Sequence, residues 1–364
     1  MIIYILELLA ICSLGAILYL GGKPNARKNR LFIDVSMTLL FILEALRSYK
    51  IGLDTEDYII LFEKIGNGYE TRWEFLYVLI NKTIWQFSHN SQWLLVIISA
   101  IIIIGVRSFI INNVDKNESP FWPVFFFVTL NFYFITMSSL RQACALAIGV
   151  NVYSTMKKGA SIKTISKGVL LTVLSMMFHS SGIITALIIP LFLIQPLKRR
   201  TLIYTVFGSI VLFFGYSILV NLFMRIFPRF QVYLSRESGQ AVEMNMGNYI
   251  LILLKMLVVC GVYYSIPTIE DKTQRDEIIR LSILVVLSIV ISVMKTQTRL
   301  AIRLGYYYDF FTILLIPKFV YRFPATGRTK FLLNGALFVI GWGVFIVMML
   351  RGSRGCVPYL FFWQ

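Results

Sequence analysis

The sequence predicts an all-α protein that crosses a membrane many times, organised as one integral membrane domain over residues 1–364. Three observations carry that expectation. Hydrophobic residues make up 57% of the chain and charged residues 15%, with a mean hydropathy of +0.74, too apolar for a soluble globule. Apolar runs close to the ~20 residues that a spanning helix needs recur along the whole length. Lysines and arginines cluster in alternate short connections between those runs, the asymmetry that orients polytopic proteins. The net charge of +17 then reads as basic cytoplasmic loops touching anionic lipid, and no nucleic-acid partner is expected.

In chain order, the runs fall at 2–20, 31–47, 92–111, 120–137, 142–156, 163–179, 182–196, 201–223, 248–266, 278–295, 304–320 and 331–350. That gives about twelve spans, of which 142–156 and 182–196 fall short of the ~17-residue minimum. The first run lacks a basic lead and ends in Gly21-Gly22-Lys23-Pro24 rather than a small-residue cleavage site, so it is expected to stay as a span. The four cysteines are scattered and support no disulfide framework; no metal cluster, phosphate loop or dinucleotide turn is present, so neither metal nor cofactor is expected.

Orientation follows from charge. With the N-terminus outside, Lys23, Arg27, Lys28 and Arg30 lie inside, as do Lys157, Lys158, Lys163 and Lys167. Lys198, Arg199 and Arg200 follow suit, then Lys318, Arg322, Arg328 and Lys330. Arg47, Arg141, His179, Arg299 and Arg303 then all emerge at the outer face, although none of them was used to set the orientation. The long segment 47–91 is outer and patterned as helix: Ile59, Phe62 and Ile65 recur at helical spacing, with Asp54 or Thr55 as a cap. The stretch from Trp73 to Phe87 reads as an interfacial or partly inserted helix, or as a short extra span. A second outer loop, 224–247, is basic through Arg225, Arg229 and Arg236.

The converging residues have a shared chemistry. Arginine keeps its charge and grips phosphate in a bidentate manner. Arg141 follows Ser138 and Ser139 at the expected start of a helix, where free N–H groups also favour an anion. The alternative is an arginine snorkelling to lipid headgroups. Arg299 and Arg303 share a helical face with Tyr306 and Tyr307, which suits a diphosphate or sugar groove, or an ordinary interfacial anchor. His179 precedes two serines able to cap the next helix; its imidazole is a candidate base for a sugar hydroxyl, or a hydrogen-bonded turn residue. Asp54 and Asp57 flank a helix start, where capping is the default, while Glu70 and Glu74 can pair with Arg72 or reach the site. Glu44 and Asp34 lie inside an apolar run, Glu44 three residues before Arg47, where a local ion pair is expected.

Taken in order, Arg47, Gly52-x-Asp54-x-x-Asp57-Tyr58, Glu74, Ser139-x-Arg141-Gln142-x-x-Ala145, His179-Ser180-Ser181 and Arg299…Arg303…Tyr307 resemble the EpsG-like branch of the Wzy-type polysaccharide polymerases. The resemblance runs from about Arg47 to Tyr308. It implies a multi-pass enzyme of the bacterial cytoplasmic membrane that joins polyprenyl-diphosphate-linked oligosaccharide repeats on the outer face. The implied fold is similar to that of the O-antigen ligases, which are membrane glycosyltransferases. His179 and Arg141 are then the catalytic candidates, with Arg47, Asp54, Asp57, Tyr58, Glu74, Gln142, Arg299, Arg303 and Tyr307 as substrate-binding candidates. The implied partners are the lipid-linked donor and acceptor, with a flippase and a chain-length regulator of the same pathway. Two rivals stand beside this reading: a flippase of lipid-linked oligosaccharides, and a ligase-type transferase. A transporter is expected to hold ionisable groups near the midplane of related halves, whereas here the candidates gather at one face.

Overall fold

A computed structural model describes residues 1–194, 197–226, 244, 246–296, 298 and 300–364. Among these residues the regular structure is helical, and the only extended pairing is an isolated antiparallel bridge between Arg47 and Phe361. The chain divides into two compact units, Met1–Leu193 with Leu332–Gln364, and Ile194–Phe331.

In the first unit, α1 (Ile2–Tyr19) leads into α2 (Ala26–Ala45), whose start is capped by the Asn25 side chain accepting from the Lys28 N–H at 3.0 Å. The segment 47–91 holds two short helices, α3 (Thr55–Gly66) and α4 (Phe75–Phe87). α3 buries Tyr58, Ile59, Phe62 and Ile65 while Glu56, Asp57 and Glu63 stay exposed. Phe62 meets Trp85 of α4 edge-on, with ring centroids 5.3 Å apart. At 13 residues α4 is too short to cross a bilayer alone.

α5 (Gln92–Asn113) is the helix against which the unit packs. It approaches α8 (Leu140–Gly149) so closely that a Cβ on Gly105 would lie 2.7 Å from the Ala147 carbonyl oxygen. Small residues allow such close packing where lipid removes the usual hydrophobic drive between helices. Polar side chains add to it. Asn151 donates to the Gly105 carbonyl at 2.9 Å, Asn113 donates to the Ser154 hydroxyl at 2.7 Å, and Arg107 holds Asp34 of α2 at 2.6 Å. Asp34, an acid inside an apolar run, is therefore paired between helices.

The apolar stretch after α5 is broken into pieces. α6 (Phe121–Thr129) and α7 (Phe132–Ser138) meet at 54°, with Asn131 at φ 74 between them. A second break at Ser139 starts α8, and α9 (Asn151–Met156) continues it. α10 (Ile162–Met176) opens with a Ser161–Thr164 capping box. A 3₁₀ segment, Ser180–Ile188, and α11 (Pro190–Leu193) close this part.

The second unit contains α12 (Arg199–Ile226), α13 (Met246–Ser265), α14 (Lys272–Met294), α15 (Leu300–Asp309) and α16 (Thr312–Arg322). Several of its buried charges are paired, as low dielectric favours. Lys255 meets Asp309 at 2.5 Å, and Glu277 receives both Lys318 at 3.2 Å and Arg322 at 2.7 Å. α17 (Gly327–Leu350) follows, and residues 351–362 return to the first unit's 46–53 segment. There Ser48 N–H donates to Leu360 and Phe362 N–H to Leu46, each at 2.9 Å.

Among the described residues five helices are long and apolar enough to cross a membrane: Ile2–Tyr19, Gln92–Asn113, Gly247–Thr268, Lys272–Met294 and Gly327–Leu350. The bent pair α6–α7 makes a sixth if counted as one span. The other expected spans take different forms. Residues 31–47 form the more polar α2, 142–156 is divided between α8 and α9, and 163–179 gives a 15-residue helix. Residues 182–196 begin as 3₁₀ structure, 201–223 lie inside the 28-residue α12, and 304–320 are split between α15 and α16. The segment 224–247, expected as a second outer loop, lies mostly outside the described residues.

The close approach at Gly105 is directly testable. Gly105→Ala forces backbone apart and should cost about 1–3 kcal/mol, read as a lower midpoint of thermal unfolding in detergent. Gly335→Ala, whose Cβ would meet open space in α17, should leave that midpoint unchanged or slightly raised.

Candidate functional site

The site is assembled around the second break in the apolar stretch. α7 ends at Ser138, and its last carbonyls lack helical partners. Arg47, fully buried, donates to the Met137 carbonyl at 3.1 Å and to the Ser99 hydroxyl at 3.3 Å, with a further bond to the Glu44 carbonyl. The Thr55 hydroxyl donates to the same Met137 carbonyl at 3.2 Å. Gly52 lies against it with φ +97, and a Cβ there would lie 2.7 Å from that oxygen. The Ser138 hydroxyl accepts from the Leu53 N–H at 3.2 Å. The chain then turns at Ser139 and α8 begins with Leu140 and Arg141.

Arg141 points into the 47–91 segment. Its guanidinium carbon sits 3.5 Å from the Trp73 ring centroid, 6.0 Å from Tyr58 and 5.9 Å from Tyr77. Its Nη1 is ion-paired with Glu74 Oε2, and the two side chains are 17% and 20% exposed. Three electron-rich ring faces and one carboxylate thus hold the cation, while its Nε is buried without a hydrogen-bond partner. Burial pushes the Tyr58 phenol up, and the neighbouring guanidinium opposes that shift, so Tyr58 stays protonated at neutral pH.

Glu74 links the arginine to the histidine turn. Its second oxygen, Oε1, accepts from the Ser180 N–H at 3.0 Å. The Leu76 N–H at the start of α4 donates to the Met177 carbonyl at 3.0 Å, which ties the two segments together. His179 itself caps the 3₁₀ segment, with Nδ1 accepting from the Ser181 N–H at 3.2 Å and 2.6 Å from the Ser181 hydroxyl. The turn is fixed from behind: Ser175 donates to the Ala145 carbonyl of α8 at 2.7 Å. A Cβ on Gly182 would lie 2.3 Å from the Ser175 hydroxyl.

Tyr58, Glu74, Arg141 and His179, spread over more than 120 positions in the chain, therefore form one cluster. Gln142 is buried beside Arg141 in α8. Asp54 and Asp57 are exposed at the head of α3. Arg303 and Tyr307 lie on α15 of the second unit, Tyr307 fully buried, and Arg299 lies outside the described residues.

Several expectations are corrected. Asp54 occupies the cap position of α3 without a side-chain cap bond, and Thr55 spends its hydroxyl on Met137. The histidine, not the serines that follow it, caps the 3₁₀ segment. Arg47 meets Glu44 through the main-chain carbonyl rather than as a local side-chain pair, and it is fully buried against the end of α7. Of the two alternatives for Glu74, pairing with Arg72 or reaching the cluster, the structure takes the second, with the ion pair to Arg141. Trp73 and Tyr77 belong to the site but read as apolar positions of a helix face; their spacing of four around Glu74 was the available signal.

Among the described residues no group of three or more His, Cys, Asp or Glu is placed to hold a metal ion. What the cluster offers is a largely enclosed cation, aromatic faces, a carboxylate and an imidazole at the start of a helix. No curated protein and no solved structure matches this chain. The family model that does match is that of the EpsG family, over residues 30–361, a range that contains every residue of the cluster. The chain belongs to the EpsG family.

Proposed function

We propose that this chain is a polymerase that joins polyprenyl-diphosphate-linked oligosaccharide repeats into a surface polysaccharide at the outer face of a bacterial cytoplasmic membrane. The observation that carries the reading is Arg141, held at the first turn of α8 by Trp73, Tyr58, Tyr77 and Glu74, with the His179 turn one carboxylate away. Glycosyl transfer from a lipid diphosphate leaves a diphosphate that gains negative charge as the anomeric bond breaks. A fixed guanidinium and helix N–H groups stabilise that charge without reorganising at the moment of reaction. The aromatic faces around the cation suit the apolar faces of sugar rings, and Asp54 and Asp57 at the head of α3 suit sugar hydroxyls.

In this reading Arg299, Arg303 and Tyr307 also serve in binding the lipid-linked substrates. The segment 47–91 lies at the outer interface, and the short and broken helices combine into about twelve crossings. A flippase delivers the repeats and a chain-length regulator limits their joining. A transporter is the second reading, favoured by the buried pairs Lys255–Asp309 and Glu277–Lys318.

A strain without the gene separates the two. A polymerase defect leaves single repeats on the surface and removes the long-chain ladder on a glycan gel. A transporter defect leaves no repeat outside and accumulates lipid-linked repeats on the inner leaflet, which counts against polymerisation.

The grip on diphosphate makes a sharper prediction. Arg141→Lys keeps one charge but loses the bidentate fork and the planar stacking on Trp73, so chain length should fall nearly as far as in Arg141→Ala. Full-length ladders from Arg141→Lys at normal protein level would assign the arginine to lipid headgroups instead.

A further inference from the structure

His179 is the obvious base in this cluster, but its hydrogen bonds argue otherwise. A backbone N–H can only donate, and the Ser181 N–H donates to Nδ1 at 3.2 Å. The Ser181 hydroxyl, 2.6 Å from the same nitrogen, then also donates to it. With Nδ1 an acceptor, the ring hydrogen sits on Nε2, and the nitrogen pointing away from the backbone turn is a donor. A donor in that position stabilises an oxyanion; it does not remove a proton from a hydroxyl. Tyr58 is kept protonated by burial, and Arg141 carries no lone pair to offer.

Glu74 is the remaining group at the centre of the cluster. It touches Arg141 through one oxygen and the Ser180 N–H through the other, so it stands between the cation and the histidine turn. It is the counter-anion of Arg141, in the position that a phosphate oxygen would claim. A diphosphate taking Arg141 displaces Glu74 from the cation and leaves its carboxylate to meet the acceptor hydroxyl.

We propose that Glu74 is the proton acceptor of the transfer, and that His179 acts as a hydrogen-bond donor to the departing diphosphate. This rests on the polymerase reading. In the step, the acceptor hydroxyl oxygen bonds to the donor's anomeric carbon while the anomeric carbon–phosphate oxygen bond breaks. The electron pair of that bond leaves with the diphosphate, which Arg141 and His179 Nε2–H receive. The hydroxyl proton passes to the Glu74 carboxylate.

The test uses the full chain in proteoliposomes with a polyprenyl-diphosphate-linked repeat as both donor and acceptor. Glu74→Gln should lower kcat by ~10²–10⁴ with KM unchanged or lower, because Arg141 loses its competing anion. Glu74→Ala should regain activity with added formate, which a purely structural residue does not do. His179→Gln, which retains an N–H near the Nε2 position, should keep most of the rate that His179→Ala loses. Wild-type kcat in Glu74→Gln, or a parallel loss of donor binding with no formate rescue, would overturn the assignment. So would a His179→Gln protein as inactive as His179→Ala, which would return the base role to the imidazole. If the wild-type protein elongates no lipid-linked repeat at all, it is the polymerase reading that fails.

Discussion

The first unit depends on how the end of α7 is satisfied. A helix interrupted inside an apolar protein exposes carbonyls with no water to take them, and a buried carbonyl left unmet costs about 1–3 kcal/mol. Here one oxygen, that of Met137, is claimed by Arg47 and Thr55, with Gly52 allowing the backbone to come close. The break is thereby made stable rather than tolerated. Because it is stable, α8 sets off in a new direction with Arg141 in its first turn. The fully buried Arg47 therefore sets the position of Arg141.

From that point the cluster is built by mutual neutralisation. Arg141 is too enclosed to rely on water, so three rings and Glu74 supply the opposing charge density. Glu74 in turn is fixed by the Ser180 N–H, and the histidine turn is fixed by Ser175 and the missing Cβ of Gly182. Each functional group is thus oriented by a neighbour that is itself anchored to a helix. Such support holds a constellation of side chains to one geometry. The segment 47–91 contributes half of the cluster, and its two short helices serve as a platform packed beside α8.

How much of this was legible in the sequence follows from the kind of signal each feature leaves. Arg141 and His179 were singled out together because basic connections alternate along the chain, and in the structure Glu74 links the arginine to the histidine turn. The helical character of 47–91 was readable from the spacing of Ile59, Phe62 and Ile65. The break at Ser139 was readable from the polar turn Ser138–Gln142 between two apolar runs, but the break at Asn131 left no such trace, since the run 120–137 continues through it with no proline or glycine beside it. The expected span 120–137 was drawn as a single helix for that reason. Arg47 was recognised as unusual, but whether a lone arginine lines a site or lies beneath one is a matter of burial, which periodicity does not encode. Trp73 and Tyr77 were hidden by their own hydrophobicity, because a ring that packs and a ring that faces a cation read alike.

The strand-like pairing that clasps residues 46–53 has a consequence for biosynthesis. Tyr359 bonds the Leu43 carbonyl across 316 positions of chain, and Leu53 and Gly52 bond Arg354 and Gly355 beside it. The turn that carries Gly52 emerges early from the ribosome, yet its backbone partners are made only after α17 has been inserted. During that interval the N–H groups of Ser48, Gly52 and Leu53 are without these carboxy-terminal partners. The cluster is therefore completed late, so that a partly inserted chain would hold the arginine and the histidine without the clasp that steadies them.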